Sequence, residues 1–130
     1  MNILECVEEY YKIRNSDDKK EMKIKYKENR LRKLEKNIDL QIKETRNVEL
    51  LCKVIELDKK EFTMPVYIMF HIYKKIVELE DNSKNILLDF AEYIFLHGPD
   101  WDEESSKMVE AIETNDIDLA KSICKKIDYK

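Results

Sequence analysis

Histidines, which often bind metals or act as acids and bases, are few and far apart in this sequence. His71 falls on the polar side of a predicted helix, which favours a surface side chain. His97 falls in the last turn of the next predicted helix, where a cation suits the free carbonyl groups. Asp100 and Asp102 follow it, but no second histidine or cysteine stands at the spacing of a zinc motif. We therefore expect no metal site and no cofactor.

Carboxylates are so abundant that a pair of them says little about catalysis. With 28 Asp and Glu among 130 residues, spacings such as Asp89 and Glu92 arise by chance, and their usual role is solvated surface or helix cap. The single glycine, Gly98, excludes the Gly-rich phosphate loops of the P-loop and Rossmann types. None of the serines lies in a known nucleophile motif. The sequence therefore predicts no enzyme.

The three cysteines and the apolar runs bear on location. Cys6, Cys52 and Cys124 are odd in number, and each lies among apolar residues at helical spacing, as buried structural thiols do. The first residues are acidic rather than basic and contain no apolar run of a signal peptide. No stretch approaches the ~20 apolar residues of a membrane span. We expect reduced thiols, a cytoplasmic location and no membrane contact.

The elements that must position any site are predicted to be helices. One glycine and two prolines are too few for the many tight turns of an all-β protein. Apolar spacing predicts an all-α fold, a single compact bundle of about six or seven helices in one domain over residues 1–130. N-terminal helices occupy about 1–60, two apolar central helices about 63–97, and an acidic helical hairpin 100–128.

Capping patterns predict where several helices begin. Asn2 with Glu5 and Asp100 with Glu103 have the spacing of a capping box, in which side chains satisfy free backbone N–H groups. Asp116 is predicted to cap the last helix. These three positions predict the first helix and both helices of the terminal hairpin.

The stretch from 17 to 60 lacks both glycine and proline. It is predicted to form either one long helix or two, about 17–46 and 48–60, with a break at Asn47. A seam with alternating steps of three and four residues suits packing along a partner helix. The seam comprises Leu31, Leu34, Ile38, Gln41, Thr45, Val48, Cys52 and Ile55.

Two central helices have apolar arcs so wide that we expect them to form the core. The first begins near Pro65, which a helix tolerates in its first turn. The second runs from about Lys84 to His97. Its predicted buried arc comprises Ile86, Leu87, Leu88, Phe90, Ala91, Ile94 and Phe95.

Charge is distributed unevenly along the chain. Residues 19–36 contain nine basic residues and three acids, a local charge of +6 that includes Lys23, Lys27, Arg30 and Lys33. Residues 89–118 contain ten acids and only one lysine, a local charge of −9. Clusters of one sign accelerate encounter with a partner of opposite charge, so they indicate partners rather than fold.

The acidic C-terminal third predicts a non-enzymatic module that binds a basic protein surface. Trp101 and Tyr93 are the predicted aromatic anchors, because apolar burial supplies affinity while complementary charge supplies rate. A small, acidic, helical, cytosolic domain resembles in general type the bacterial immunity and antitoxin proteins, which neutralise basic nucleases. That resemblance implies a nuclease toxin as the partner. The predicted charged contacts are Asp100, Asp102, Glu103, Glu104 and Glu110.

Two other hypotheses use the N-terminal half. The 31–55 seam predicts a self-associating structural or adaptor protein, a homodimer whose register polar Gln41 and Thr45 would set. The basic stretch 19–36 predicts contacts to nucleic acid phosphates, with Tyr26 available for stacking. A pI near 5.4 and the acidic segment count against nucleic acid as the partner.

Overall fold

Helices make up the regular structure of this protein. The computed structural model describes residues 2–16, 21–61, 64–80, 84–97 and 101–127, and within these ranges it contains seven helices and no strand. The predicted all-α fold class is therefore confirmed. The helices are α1 (Ile3–Arg14), α2 (Glu21–Glu44), α3 (Val48–Glu61), α4 (Val66–Leu79), α5 (Lys84–His97), α6 (Asp102–Glu113) and α7 (Ile117–Lys126).

The helices belong to two compact units, residues 1–69 and 70–130. The first contains α1, α2, α3 and the first turn of α4. The second contains the rest of α4 and the helices α5, α6 and α7. The single domain expected from the sequence stays a prediction.

The stretch from 17 to 60 contains a helix break, so the single long helix is wrong and the two-helix alternative is confirmed. The side-chain oxygen of Asn47 accepts a hydrogen bond from the backbone N–H of Leu50 at 3.1 Å. The hydroxyl of Thr45 accepts one from the N–H of Asn47 at 3.1 Å. These side chains satisfy backbone groups at the start of α3, which favours a new helix over continuation of α2.

Predicted caps are present at the first and last helices. The Asn2 carboxamide accepts from the Glu5 N–H at 2.8 Å, and the Glu5 carboxylate accepts from the Asn2 N–H at 3.1 Å, which completes the capping box. The Asp116 carboxylate accepts from the Leu119 N–H at 3.1 Å. Local sequence therefore determines these two helix starts.

The terminal hairpin differs from prediction at its start. Asp100 lies outside the described residues, and α6 begins at Asp102 with Trp101 as its N-cap, whose side chain makes no capping hydrogen bond. Between α6 and α7, Asn115 has a φ of 62°. Asparagine tolerates this left-handed conformation better than most residues, so it suits the reversal between the two helices.

The core of the first unit forms where α1 packs on α2 and α3. Cys6 of α1 is fully buried, and its sulfur accepts hydrogen bonds from the amides of Asn37 and Gln41, each at 3.6 Å. The buried stripe of α2 follows the predicted seam only as far as Ile38. It then departs from the seam, because Gln41 remains partly exposed and Ile42 is buried. In α3 the buried apolar residues are Leu51, Val54 and Ile55.

The core of the second unit contains an aromatic cluster from α4 and α5. The rings of Phe70 and Phe90 meet edge to face at 5.2 Å, and those of Tyr73 and Phe90 stack at 5.2 Å. Tyr93 joins the cluster, with its ring centroid 5.4 Å from that of Tyr73. Such ring pairs stabilise the folded state by more than the burial of their apolar surface alone would. Most apolar side chains of α4 are buried, as predicted for the first central helix, whereas those at its first and last positions are partly exposed.

Candidate protein-binding site

A groove of about 400 Å³ lies between α5 and α6. We call it the α5–α6 groove. Both of its walls are helices of the second unit. Its lining residues are Leu88, Ala91, Glu92 and Phe95 of α5 and Ser105, Ser106, Val109, Glu110 and Glu113 of α6.

Small buried residues form the floor of the groove. Ala91 and Ser105 are almost completely buried. The Ser105 hydroxyl donates a hydrogen bond to the Ala91 backbone carbonyl at 2.8 Å. A side chain touching the facing backbone means that the two helices approach closely at this point. Because neither residue is large, the space above them stays open between the longer side chains of the walls.

Apolar side chains on the walls are exposed to water. Phe95 is 68% exposed and Leu88 is also exposed, although both were predicted as core. The reason is that the apolar arc of α5 is wider than its neighbours cover, while Phe90 and Ile94 fill the core side. Leu96, beside Phe95, is exposed as well. A large exposed aromatic next to a groove is typical of an interaction surface.

Carboxylates surround this apolar surface. Glu92 on α5 and Glu110 and Glu113 on α6 are exposed. Within the described ranges no ion pair involves any of these three carboxylates. The one lysine of the acidic segment, Lys107, instead bonds to Glu103 at 3.0 Å, and that hydrogen bond raises the lysine pKa. Lys107 is therefore paired away from the carboxylates at the rim of the groove.

Among the predicted contact residues that the structure describes, Glu110 alone lines the groove. Tyr93 was predicted as an anchor, but it is 9% exposed and its ring packs in the aromatic cluster of the core. Burial leaves it too little free surface for a partner, so this prediction is wrong. Trp101 is partly exposed at the N-cap of α6.

The other predicted acidic contacts lie in the first turn of α6. Asp102 and Glu103 are exposed there, and Glu104 is partly exposed. Carboxylates in a first turn stabilise a helix by offsetting its exposed N–H groups and dipole. These side chains therefore have a structural role in α6 whether or not a partner contacts them. Asp100 lies outside the described residues.

The basic stretch is partly engaged within the first unit. Lys27 donates to the Ser16 carbonyl at 2.7 Å, and Arg30 lies 3.9 Å from a carboxylate oxygen of Glu9. Lys33 is exposed. Lys23 belongs to α2, but its side chain is not among those described. Two of the four predicted phosphate contacts thus already have partners in their own chain.

The seam predicted for self-association is covered in its first half. Leu34 and Ile38 are 2% and 0% exposed, so packing within the first unit, where α1 contacts α2, already covers that surface. A second chain would reach these side chains only by opening the first unit. Leu40, on the other side of α2, is exposed but lies outside the predicted seam.

A second depression lies in the first unit, between α1 and α3. It measures about 520 Å³ and is open to solvent. Its charges are of both signs, so no single charged partner is favoured there. Its lining residues are Leu4, Glu8, Lys53, Glu56, Leu57, Lys59 and Lys60.

The two histidines and the buried cysteine Cys124 are the remaining side chains whose types could do chemistry. His71 is partly buried rather than fully on the surface, and His97 lies against the Tyr93 ring with centroids 4.5 Å apart. Burial raises the pKa of the Cys124 thiol to about 11, although Lys74 acts in the opposite direction. Among the described residues, no three His, Cys, Asp or Glu side chains gather as metal ligands would.

None of the helices in the described ranges is long and apolar enough to cross a membrane. The chain matches no family model, no curated protein and no solved structure.

Proposed function

We propose that this chain is a non-enzymatic protein-binding module that binds a basic partner protein through its acidic C-terminal third. The observation that supports this proposal is the α5–α6 groove, in which exposed apolar side chains lie beside three carboxylates without a basic partner among the described residues. The proposed location is the cytoplasm, because the three cysteines are free thiols and two of them are buried.

Apolar contact would supply most of the affinity. A phenylalanine side chain has roughly 200 Å² of surface. With 68% of Phe95 exposed, burying that surface is worth about 3 kcal/mol at ~25 cal/mol per Å². This is the range of a residue that dominates an interface. Leu88 would add to the same apolar contact.

Charge would supply the rate and the choice of partner. The carboxylates of Glu92, Glu110 and Glu113 form an acidic rim, and the surrounding segment 89–118 has only Lys107 to offset ten acids. Such a surface accelerates association with a basic protein and repels an acidic one. A nuclease that binds phosphates through Lys and Arg side chains would present a basic surface of this kind. The finer form of the proposal is an immunity or antitoxin role against a nuclease toxin.

Charge reversal in the groove tests the proposal. Tagged wild type and a Glu92→Lys, Glu110→Lys variant are incubated with host cytosol at low salt and at about 0.5 M salt, since screening separates charged from apolar contact. The matched control is Glu28→Lys, Glu44→Lys on exposed positions of α2. Both variants change the formal net charge from −4 to zero, so only the location of the charges differs.

The expected result is one basic protein that wild type and control capture and the groove variant does not. With the purified partner, the association rate of the groove variant should fall by about tenfold or more. Equal capture by all three chains would contradict the proposal. Nucleic acid that is released at high salt would favour the basic stretch 19–36, and recovery of the chain alone would favour self-association.

A further inference from the structure

We infer that the occupant of the α5–α6 groove is an amphipathic helix of the partner, with one apolar stripe flanked by Lys or Arg. This inference rests on the proposed function and specifies which part of a basic protein the groove binds. The lining residues show the length of the site. They run from Leu88 to Phe95 on α5 and from Ser105 to Glu113 on α6, about two helical turns on each wall.

The walls favour a helix over an extended segment. An extended peptide gains affinity by main-chain hydrogen bonds to the edge of a sheet. Both walls here are helices, whose backbone groups are satisfied within the helices themselves. At the floor, the Ser105 hydroxyl already donates to the Ala91 carbonyl. A helix needs no such bonds, because it satisfies its own backbone and presents only side chains.

The arrangement of apolar and acidic residues that line the groove predicts where a docked helix has apolar and basic residues. Between the walls, the open space above Ala91 and Ser105 has room for apolar side chains at i, i+3 or i+4, and i+7 of a docked helix. Phe95 and Val109 would contact this stripe. Carboxylates stand on both sides, since Glu92 is on α5 whereas Glu110 and Glu113 are on α6. Basic residues on both flanks of the stripe would therefore complement the rim.

Synthetic peptides of about 14 residues provide the test, because that length gives nearly four helical turns. The first peptide contains Leu at i, i+4, i+7 and i+11 with Lys at most other positions. A second peptide of the same composition distributes its Leu around the helix. A third replaces one central Lys with Pro, which breaks the helix. Binding is followed by the methyl NMR signals of Leu88 and Val109, with exposed Leu40 of α2 as the internal control.

The striped peptide should shift the signals of Leu88 and Val109 and leave those of Leu40 unchanged. It should bind about tenfold or more tightly than the other two peptides and gain helicity in circular dichroism. Phe95→Ala should weaken it by about tenfold or more. The matched control, Tyr26→Ala, removes an aromatic side chain that is 72% exposed on α2 and should leave binding unchanged. Both positions are exposed, so the fold should tolerate both substitutions.

Three different failures can be told apart. If all three peptides bind wild type equally but the Glu92→Lys, Glu110→Lys variant loses them, the groove binds basic segments of any shape and the helical occupant is wrong. If the Glu-to-Lys variant binds the peptides as well as wild type does, the acidic rim has no role and the proposed function fails. Shifts confined to residues outside the groove would overturn the inference about the site.

Discussion

Asp58 is a buried carboxyl group in the first unit, and its removal should lower the free energy of unfolding. Its side chain belongs to α3 and is 4% exposed. One oxygen accepts a hydrogen bond from the Tyr11 hydroxyl of α1 at 3.1 Å and from the Met64 backbone N–H at 3.2 Å. The group thus connects α1, α3 and the segment before α4. Asp58→Ala would leave two donors without this acceptor.

The size of the effect follows from the desolvation of those donors. A buried donor without a partner costs about 1–3 kcal/mol, so Asp58→Ala should lower the free energy of unfolding by about 3 kcal/mol. Tyr11→Phe removes one donor and keeps the Met64 contact, so about 1 kcal/mol is expected. Because both substitutions remove the same hydrogen bond, the double variant should be less destabilised than the sum of the two by about 1 kcal/mol.

Urea unfolding measures these free energies. For an m value of about 2 kcal/mol/M, Asp58→Ala should lower the midpoint by about 1.5 M. The control is Asp39→Ala, which removes a half-buried carboxylate that lies 3.5 Å from exposed Lys43 on the same helix. Such a surface pair contributes at most about 0.5 kcal/mol. Equal effects at the two aspartates, or strict additivity with Tyr11→Phe, would refute the reasoning.

Burial and charge also govern the behaviour of other groups. Because burial raises the pKa of Cys124 to about 11, alkylation of the native protein at pH 8 should modify it far more slowly than half-buried Cys52; equal rates by peptide mass spectrometry would contradict this. Burial and a neighbouring carboxylate raise the pKa of Tyr67 from 10.0 to about 12. The Tyr67 hydroxyl therefore makes its full contribution to the free energy of unfolding below pH 10, and this contribution is lost as the pH rises towards 12. Tyr67→Phe should remove this pH dependence from urea unfolding curves. Leu34→Asp with Ile38→Asp should unfold the first unit, since both side chains are buried. An unchanged helicity in circular dichroism and an unchanged molar mass in solution would contradict this prediction.

Much of the fold could be predicted because its signals are local. The capping box of Asn2 and Glu5 and the cap at Asp116 depend on side chains within three residues of the groups they satisfy. The break at Asn47 was one of two alternatives in the sequence, since asparagine is compatible both with a helix interior and with a cap. The structure decides between them through the hydrogen bonds of Thr45 and Asn47.

Of the candidate site, the sequence predicted the negative charge but not the exposed apolar side chains. The excess of acids near α6 is visible in the sequence, and Glu110 was among the predicted contacts. Tyr93 was predicted as an anchor and is buried, whereas Phe95 was predicted as core and is exposed. Both lie in the apolar half of α5, two residues apart, and periodicity alone does not show which side the neighbouring helices cover.

The sequence by itself determined the helical class, the helix ends with local caps and the uneven charge, because these depend on composition and on contacts within a few residues. Tertiary structure decided which apolar side chains meet water. Phe95 is exposed because the neighbouring helices cover other parts of α5, and the groove is open because the small Ala91 and Ser105 face each other where the consecutive helices α5 and α6 pack. A binding surface of this kind depends on what packing leaves uncovered, so it exists only once the helices have assembled.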